Sequence, residues 1–366
     1  MVNHRTIAVV TGTRAEFGLL EPVMRAIDLA DDLRLVTVVA GLHLITSTKR
    51  DITDAGFAID HEVAMQMGGT AGRLADAEAV GRGVLHMAEV WGEVNPTFAV
   101  VLGDRVEAFA AAAAASVGGI RVAHLHGGDR AEGVADDAMR HAITKLAHLH
   151  LPATEQSARR IVQMGEEPAR VHIVGSPAID ALADVLAAEA GPDVIVLQHP
   201  VGDDDGTERR RMISILQATD PETTGMTRLV LAPNHDPGRD GIVQAIDRAG
   251  VDAITHMPRM DFLAILKAAR VIVGNSSAGL IEAAALHTAC VDLGRRQAGR
   301  ERPGHVVPCE SDDDPQALRT AIETAIDLKV IDLPHPYGDG RTGPRVAELL
   351  AHIDLDTVAL RKRNAY

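Results

Sequence analysis

Short runs of aliphatic and β-branched residues recur along the chain. Each is closed by a glycine or a polar turn and followed by residues at helical spacing. TIAVV (Thr6–Val10) precedes TGTRAEFG and an amphipathic stretch reaching Ala30. LRLVTVVAG (Leu33–Gly41), FAVVLGD (Phe98–Asp104), GIRVAHL (Gly119–Leu125), HLHLPAT (His148–Thr154) and ARVHIVGSP (Ala169–Pro177) continue the series. The runs are apolar at nearly every position rather than every second one. That predicts parallel strands covered on both faces, with helices as the crossovers. The alanine run Ala110–Ala115 predicts a tightly packed helix.

The pattern restarts at PDVIVLQHP (Pro192–Pro200) and continues through TRLVLAPNH, VDAITH, ARVIVGNSS and TACVDLG. Between the two series, DALADVLAAEAGPD reads as a helix plus linker. This places an N-terminal Rossmann-like domain at 1–185, carrying the candidate carboxylates. A C-terminal Rossmann-like nucleotide-binding domain follows at 186–366, its last helix a candidate to pack back on the first domain. The expected class is α/β, two doubly wound domains facing a cleft, with ligands at the carboxyl ends of the strands. GDDDGTE (Gly202–Glu208) reads as a mobile acidic loop.

Length supports this division: 366 residues suit about two domains at roughly 150 residues each. Hydrophobic residues make up 46% and aromatics only 2%, so the cores must be aliphatic. The formal charge of −15 argues against a nucleic-acid binder, which needs a basic face. It leaves room for one anionic ligand held by local arginines. The only cysteines, Cys290 and Cys309, suit a reducing cytoplasm. No signal peptide is expected, and no membrane span of roughly 18 apolar residues.

Four loops at predicted strand ends carry candidate chemistry. In VTGTRAEFGLL, Arg14 stands beside a helix N-terminus, which reads either as an anion site or as a structural turn. The turn is neither GxGxxG nor a P-loop, which argues against dinucleotide and Walker-type binding. In VLGDR, Asp104 at a strand end reads as a helix cap or as a site carboxylate. GNSSAGLIEAAALH offers Ser276, Ser277 and Gly279 to a phosphate and Glu282 to ribose hydroxyls, or else a capped, closely packed helix. GRRQAGRERPGH concentrates Arg295, Arg296, Arg300 and Arg302, able to contact phosphates or to form a solvated loop.

The fifth stretch is HLHGGDRAEGVADDAMRHAITKLAH. His124, His126 and Asp129, with His141 and His148 on a predicted helix, do not supply the three convergent ligands that a zinc site needs, so no metal is expected. Asp136 and Asp137 read as the acidic start of a helix. Alternatively, Asp104, Asp129, Asp136 and Asp137 gather around one cleft, where neighbouring carboxylates raise one another's pKa for acid–base work.

TGTRAEFGLL, LGDR, the HGGD…EG…DD…RHAITK…H block, GSPAID, GNSSAGLIEA and RRQAGRERP together resemble the UDP-N-acetylglucosamine 2-epimerases. The resemblance is strongest to the hydrolysing branch that makes N-acetylmannosamine for sialic-acid-type sugars, and it covers most of the chain in the same order. The non-hydrolysing branch carries Arg-Pro-Glu and His-Val-Glu-Ala-Gly where this chain has Arg14-Ala15-Glu16 and His124-Leu125-His126-Gly127-Gly128.

The resemblance implies a glycosyltransferase-B-like fold, a UDP-sugar substrate, no cofactor, and a cytoplasmic homodimer or homotetramer with neither nucleic-acid nor membrane partners. It implies UDP elimination across C1–C2 to a glycal, followed by hydration. By motif match, Asp104, Asp129 and Asp136 or Asp137 fall on catalytic carboxylates. His199 falls on a histidine that could assist diphosphate departure. Arg14, Arg140, His235, Ser276, Ser277 and Glu282 fall on nucleotide contacts. Asp129 departs from the branch, which carries Glu there. Three readings compete with UDP-N-acetylglucosamine epimerisation. One is hydrolytic epimerisation of UDP-2,4-diacetamido-2,4,6-trideoxy-glucose (UDP-N,N'-diacetylbacillosamine) for legionaminic acid. The others are a glycosyltransferase on the same fold and a non-catalytic nucleotide-sugar-binding regulator.

Overall fold

The computed structural model describes residues 4–365 apart from 47, 70–71, 131–136, 181, 183–184, 235, 256 and 331–332. Twelve strands among the described residues form two six-stranded, all-parallel sheets. The first contains β1 (Arg5–Thr11), β2 (Leu33–Ala40), β3 (His61–Val63), β4 (Phe98–Leu102), β5 (Arg121–Leu125) and β6 (Leu149–Leu151), ordered β3-β2-β1-β4-β5-β6. The second contains β7 (Val194–Leu197), β8 (Arg228–Leu231), β9 (Ala253–Ile254), β10 (Val271–Gly274), β11 (Ala289–Leu293) and β12 (Val306–Cys309), ordered β12-β11-β10-β7-β8-β9. Both sheets are therefore doubly wound, and each reverses its winding once, between β1 and β4 and between β7 and β10.

The apolar runs have the cause the pattern suggested. Ile7 and Val9 face a core with Phe17, Leu20 and Leu350, while Ala8 and Val10 face the opposite core with Met87 and Trp91. The Val106–Val117 helix buries Ala108, Ala110, Ala111, Ala112, Ala114 and Ala115, and their small side chains let it sit close on the sheet. No helix among the described residues is long and apolar enough to cross a membrane.

The chain forms two compact units. Of the described residues, the first comprises those from His4 to Asp129, from Asp137 to Asp180 and from Tyr337 to Ala365, and the second comprises Arg130 and those from Leu182 to Pro336. The returning segment is tied into the first unit beside the departing one. Ser176 N donates to Tyr337 O at 2.8 Å, and the Asp180 carboxylate accepts from Thr342 N at 2.9 Å and Gly343 N at 2.6 Å. Asp180 thus serves the first free N–H groups of the Thr342–His352 helix, a strong, charge-assisted arrangement. Val346 and Leu350 of that helix then enter the core of the first sheet.

Three stretches differ from expectation. Ala169–Pro177 forms no strand. Val171 makes a single bridge to His150, because Pro152 ends β6 and has no N–H to carry the ladder on. Gly202–Glu208 is not wholly a loop. The Asp204 side chain accepts from Gly206 N and Thr207 N and starts the Asp205–Ala218 helix, whose first turn favours acids. Residues 185–193 are not helical, and 181, 183 and 184 of the expected linker helix lie outside the described residues.

Gly343 has no space for a side chain, because an added Cβ would meet the carbonyl group of Pro22. Gly343→Ala should push the Thr342–His352 helix off the Arg14–Asp28 helix at a cost of about 1–3 kcal/mol. Thermal unfolding should show a lowered Tm. An unchanged Tm would mean that this contact does not secure the returning segment.

Candidate active site

β4 ends at Leu102, and Gly103 N bonds Leu125 O, so the turn after β4 lies against the end of β5. Asp104 sits on that turn. It does not cap the next helix, whose cap position is Arg105 with no side-chain bond. Its carboxylate instead pairs with Arg140 Nη2. Arg140 is buried on the Asp137–Leu146 helix. Its Nη1 donates to His126 O at 3.3 Å and lies 3.7 Å from Asp129 Oδ2. One guanidinium thus joins both carboxylates and the backbone of the HLHGGD turn. A bidentate planar group suits this, and a lysine could not span the same partners.

Asp129 is 2% exposed, and both of its oxygens are engaged. His126 Nδ1 lies 2.9 Å from Oδ2, and Ser157 Oγ donates to Oδ1 at 2.8 Å. The other ring nitrogen of His126 meets Ser176 Oγ at 3.0 Å. His126 takes a φ of +58°, a left-handed backbone that is costly outside glycine and is held here by the surrounding bonds. Asp104, 19% exposed at its side chain, is the more accessible carboxylate of the pair. Asp137 opens the Arg140 helix and lies 3.6 Å from His141. Asp136 lies outside the described residues.

The neighbouring histidines are wired into the fold. Buried His124 places Nε2 2.8 Å from Gly103 O and Nδ1 3.2 Å from Thr144 Oγ1. Burial pushes its pKa down to about 3, so it stays neutral. His148 accepts from Val122 N, and burial likewise holds it at about 4. Among the described residues no group of three or more His, Cys, Asp or Glu is placed to hold a metal ion.

The turn after β1 adds the Arg14 corner. Thr13 caps the Arg14–Asp28 helix, and Arg14 pairs with Asp51 at 2.9 Å. Glu16 turns inward, accepting from Gly12 N at 2.5 Å. Glu107 is also buried there, bonded by Gln66 at 2.7 Å and Arg105 at 3.3 Å. Burial raises Glu16 to about 8, and the nearby Glu107 charge adds to the rise against the opposing Gly12 N–H and Arg105.

The second sheet has a matching arrangement at its own reversal. Past the ends of β7 and β10, His199 N donates to Asn275 Oδ1 and Asn275 Nδ2 donates to His199 O, both at 2.8 Å. Gly274, at φ +150°, brings the two strands so close that a Cβ would meet Leu197 O. His199 Nδ1 accepts from Asn234 N at 3.2 Å, which leaves the proton on Nε2. Burial, assisted by the Arg296 charge, holds its pKa at about 3, so the imidazole is a neutral donor. Arg296 lies 3.4 Å from Asn275 O and 3.7 Å from Asp236.

Ser276 caps the short Ser277–Leu280 helix. Gly279 packs where a Cβ would meet Cys290 Sγ, and Glu282 pairs with Arg259 at 3.3 Å. Arg302 is committed to buried Asp292 at 2.8 Å, and Arg300 acts on the same carboxylate through space. His235 lies outside the described residues.

His199, Asn275 and Arg296 therefore form one group, and Asp104, Asp129 and Arg140 another. Asn275, Ser157 and Ser176 join these groups without having been singled out, Glu16 adds a buried carboxyl at the Gly12 turn, and His126 was weighed only as a metal ligand. Asn275 and Ser176 stand inside the quoted GNSS and GSPAID motifs, whereas Ser157 belongs to a distant segment that only the fold brings to Asp129.

Glu16 yields a test. Its folded value of about 8 exceeds the unfolded 4.5, so the folded chain retains a proton that the unfolded chain releases. This favours folding below pH 4.5, is lost progressively as pH rises to 8, and levels off above that. Glu16→Gln keeps the Gly12 bond without the charge. The variant should gain stability over the wild type between pH 5 and 8, on the order of a few kcal/mol by pH 8. Thermal unfolding across that range would refute the assignment if the two pH profiles ran parallel.

Comparison with known proteins adds the following. A family model described as UDP-N-acetylglucosamine 2-epimerase matches residues 25–351. The chain is 35% identical to the UDP-N,N'-diacetylbacillosamine 2-epimerase (hydrolyzing) of Legionella pneumophila, over 99% of this chain and all of that one. It is 30% identical to the UDP-N-acetylglucosamine 2-epimerase of Neisseria meningitidis, over 98% of each. Among solved structures, the Methanocaldococcus jannaschii UDP-GlcNAc 2-epimerase, in complex with UDP-GlcNAc and UDP, superposes with a TM-score of 0.81. That match has 20% identity, covers 94% of this chain and 99% of that one, and speaks for the fold.

Proposed function

This chain belongs to the UDP-N-acetylglucosamine 2-epimerase family, and on that premise we propose that it is a hydrolysing 2-epimerase of a UDP-activated 2-acetamido sugar. The observation that carries the reading is the Asp104–Arg140–Asp129–His126 network, which presents one accessible carboxylate on a rigid, buried support. A C2 proton is weakly acidic, so its removal needs a base held at close range. Asp104 and the Asp136–Asp137 pair supply the base on one face of the sugar and the acid on the other. Asp129, with both oxygens engaged, orients Arg140 and His126.

In the first step the C2–H and C1–O bonds break, giving a 2-acetamidoglycal, UDP and a protonated carboxyl group. In the second, water adds its hydroxyl to C1 while the carboxylic acid on the opposite face protonates C2, and the proton released by the water passes to that carboxylate. The products are UDP and the free 2-epimerised sugar. Charge developing on the leaving diphosphate is met by the neutral His199 Nε2–H and by Arg296, with Arg14, Ser276 and Ser277 as further donors. Glu282 is assigned to the nucleoside.

Two sugars fit this chemistry. Identity of 35% with the Legionella protein over nearly the whole chain supports UDP-N,N'-diacetylbacillosamine as the first substrate to test. Identity of 30% with the Neisseria protein, together with the motifs, supports UDP-N-acetylglucosamine as the second.

The test is incubation of the purified protein with each nucleotide sugar in D₂O with EDTA, followed by proton NMR. Free 2-epimerised sugar bearing deuterium at C2, with UDP, is the expected result, and kcat/KM ranks the two sugars. Asp104→Asn should lower kcat by about 10²–10⁴-fold while the variant stays folded. Epimerised sugar still attached to UDP would replace the hydrolytic reading with a non-hydrolysing one. No release of UDP from either sugar would point to a transferase or a binding protein.

A further inference from the structure

Residues 355–365 form neither helix nor strand, yet groups of the first unit hold them at several points. Arg121 donates to Val358 O at 2.8 Å and to Leu355 O at 3.3 Å. His148 Nε2 meets Leu360 O at 3.2 Å, and Ala365 N donates to Gly165 O at 2.8 Å. An irregular terminus ordinarily frays unless it is tied down. The number of ties here calls for a cause beyond covering surface.

The strongest tie is Lys362. Its Nζ donates to Thr144 O at 3.1 Å and Lys145 O at 2.7 Å. These are two of the last carbonyls of the Asp137–Leu146 helix, where the helical ladder runs out and Thr144 O otherwise takes only a long bond from Ala147 N at 3.3 Å. A cation there also complements the negative end of the helix. The same Nζ lies 2.6 Å from Glu166. Glu166 is 1% exposed and also takes Lys145 at 2.6 Å and His150 at 3.0 Å. Lys145 in turn donates to Met164 O at 3.0 Å and to Asn364 Oδ1 at 2.9 Å. Burial alone would raise the Glu166 pKa. Bonds from His150, Lys145 and Lys362 overcome it and hold the group at about 2, so it remains a charged anchor.

The helix so anchored carries Arg140, five residues before Lys145 and about 7.5 Å along the axis. Arg140 reaches both Asp104 and Asp129. We infer that Lys362 is a positioning residue: with Glu166 it fixes the axial setting of the Asp137–Leu146 helix, and hence the placement of Arg140 between the two carboxylates. Lys362 touches no reacting atom in this scheme. It acts through the helix, so its loss slows the chemistry and leaves nucleotide affinity, which this scheme assigns mainly to His199, Arg296, Ser276, Ser277 and Glu282 of the second unit, little changed.

The kinetic part rests on the proposed epimerase activity; the structural part does not. Lys362→Met, Lys362→Arg and Arg121→Met would be compared with the wild type by hydrogen exchange of the 137–146 amides and by kcat and KM. Arg121→Met releases the tail without touching the Glu166 cluster, which keeps the test open should Lys362→Met fold poorly. Lys362→Met should exchange at least tenfold faster across 137–146, with peptides of the second unit unchanged. Its kcat should fall about tenfold with KM within twofold. Lys362→Arg should restore most of both, and Arg121→Met should move both in the same direction by less.

Unchanged exchange in Lys362→Met and Arg121→Met would overturn the inference. Faster exchange with an unchanged kcat would overturn the positioning role. A loss carried by KM alone would do the same. Absence of wild-type turnover, with faster exchange in the variants, would instead defeat the proposed activity and leave the anchoring intact.

Discussion

Burial of both faces of each sheet is the constraint from which the other features follow. Strands such as β1 and β4 have no wet face, so polar chemistry can leave the sheet only at strand ends. At the reversal of winding, the helices after neighbouring strands go to opposite sides and leave a crevice. Several of the candidates stand at these points. Arg14 follows β1 and Asp104 follows β4, while His199 follows β7 and Asn275 follows β10. Groups far apart in sequence come together because the winding order has no other place for them.

Each buried charge in this acidic chain has a specific solution. Asp129 is matched by Arg140, His126 and Ser157, Glu166 by two lysines and a histidine, and Asp292 by Arg302. Glu16 is matched by a proton, since burial and the charge on Glu107 keep it neutral near pH 7. The difference lies in what each is asked to do. The paired carboxylates hold fixed cations that other residues use, whereas Glu16 shapes the Gly12 turn and gains nothing from being charged.

Much of this was legible before any coordinates. The strand runs, the restart at Pro192 and the strand-end loops follow from periodicity and from turn residues, which are local signals. Ala169–Pro177 was misread because an apolar run cannot reveal that its neighbour ends in Pro152. The start of the Asp205–Ala218 helix was misread because a cluster of acids suits a loop and a helix N-terminus equally. Asp104, Asp129 and Arg140 were named from motifs, but their sharing of one guanidinium depends on a helix and two turns meeting in space. Ser157 and Lys362 were invisible for the same reason. Each acts on a segment far along the chain, and nothing in its own neighbourhood marks it.

The return of residues 337–365 to the first unit has a consequence for synthesis. Val346, Leu350 and Val358 complete the core on one face of the first sheet, and Asp180 waits for Thr342 and Gly343. On the ribosome, the unit that begins first is therefore finished last. The second unit, mostly one continuous stretch, can close while the first still lacks its final helix. Until residues 337–358 have been made and folded back, the nascent first sheet carries an uncovered apolar strip, a surface through which such chains aggregate.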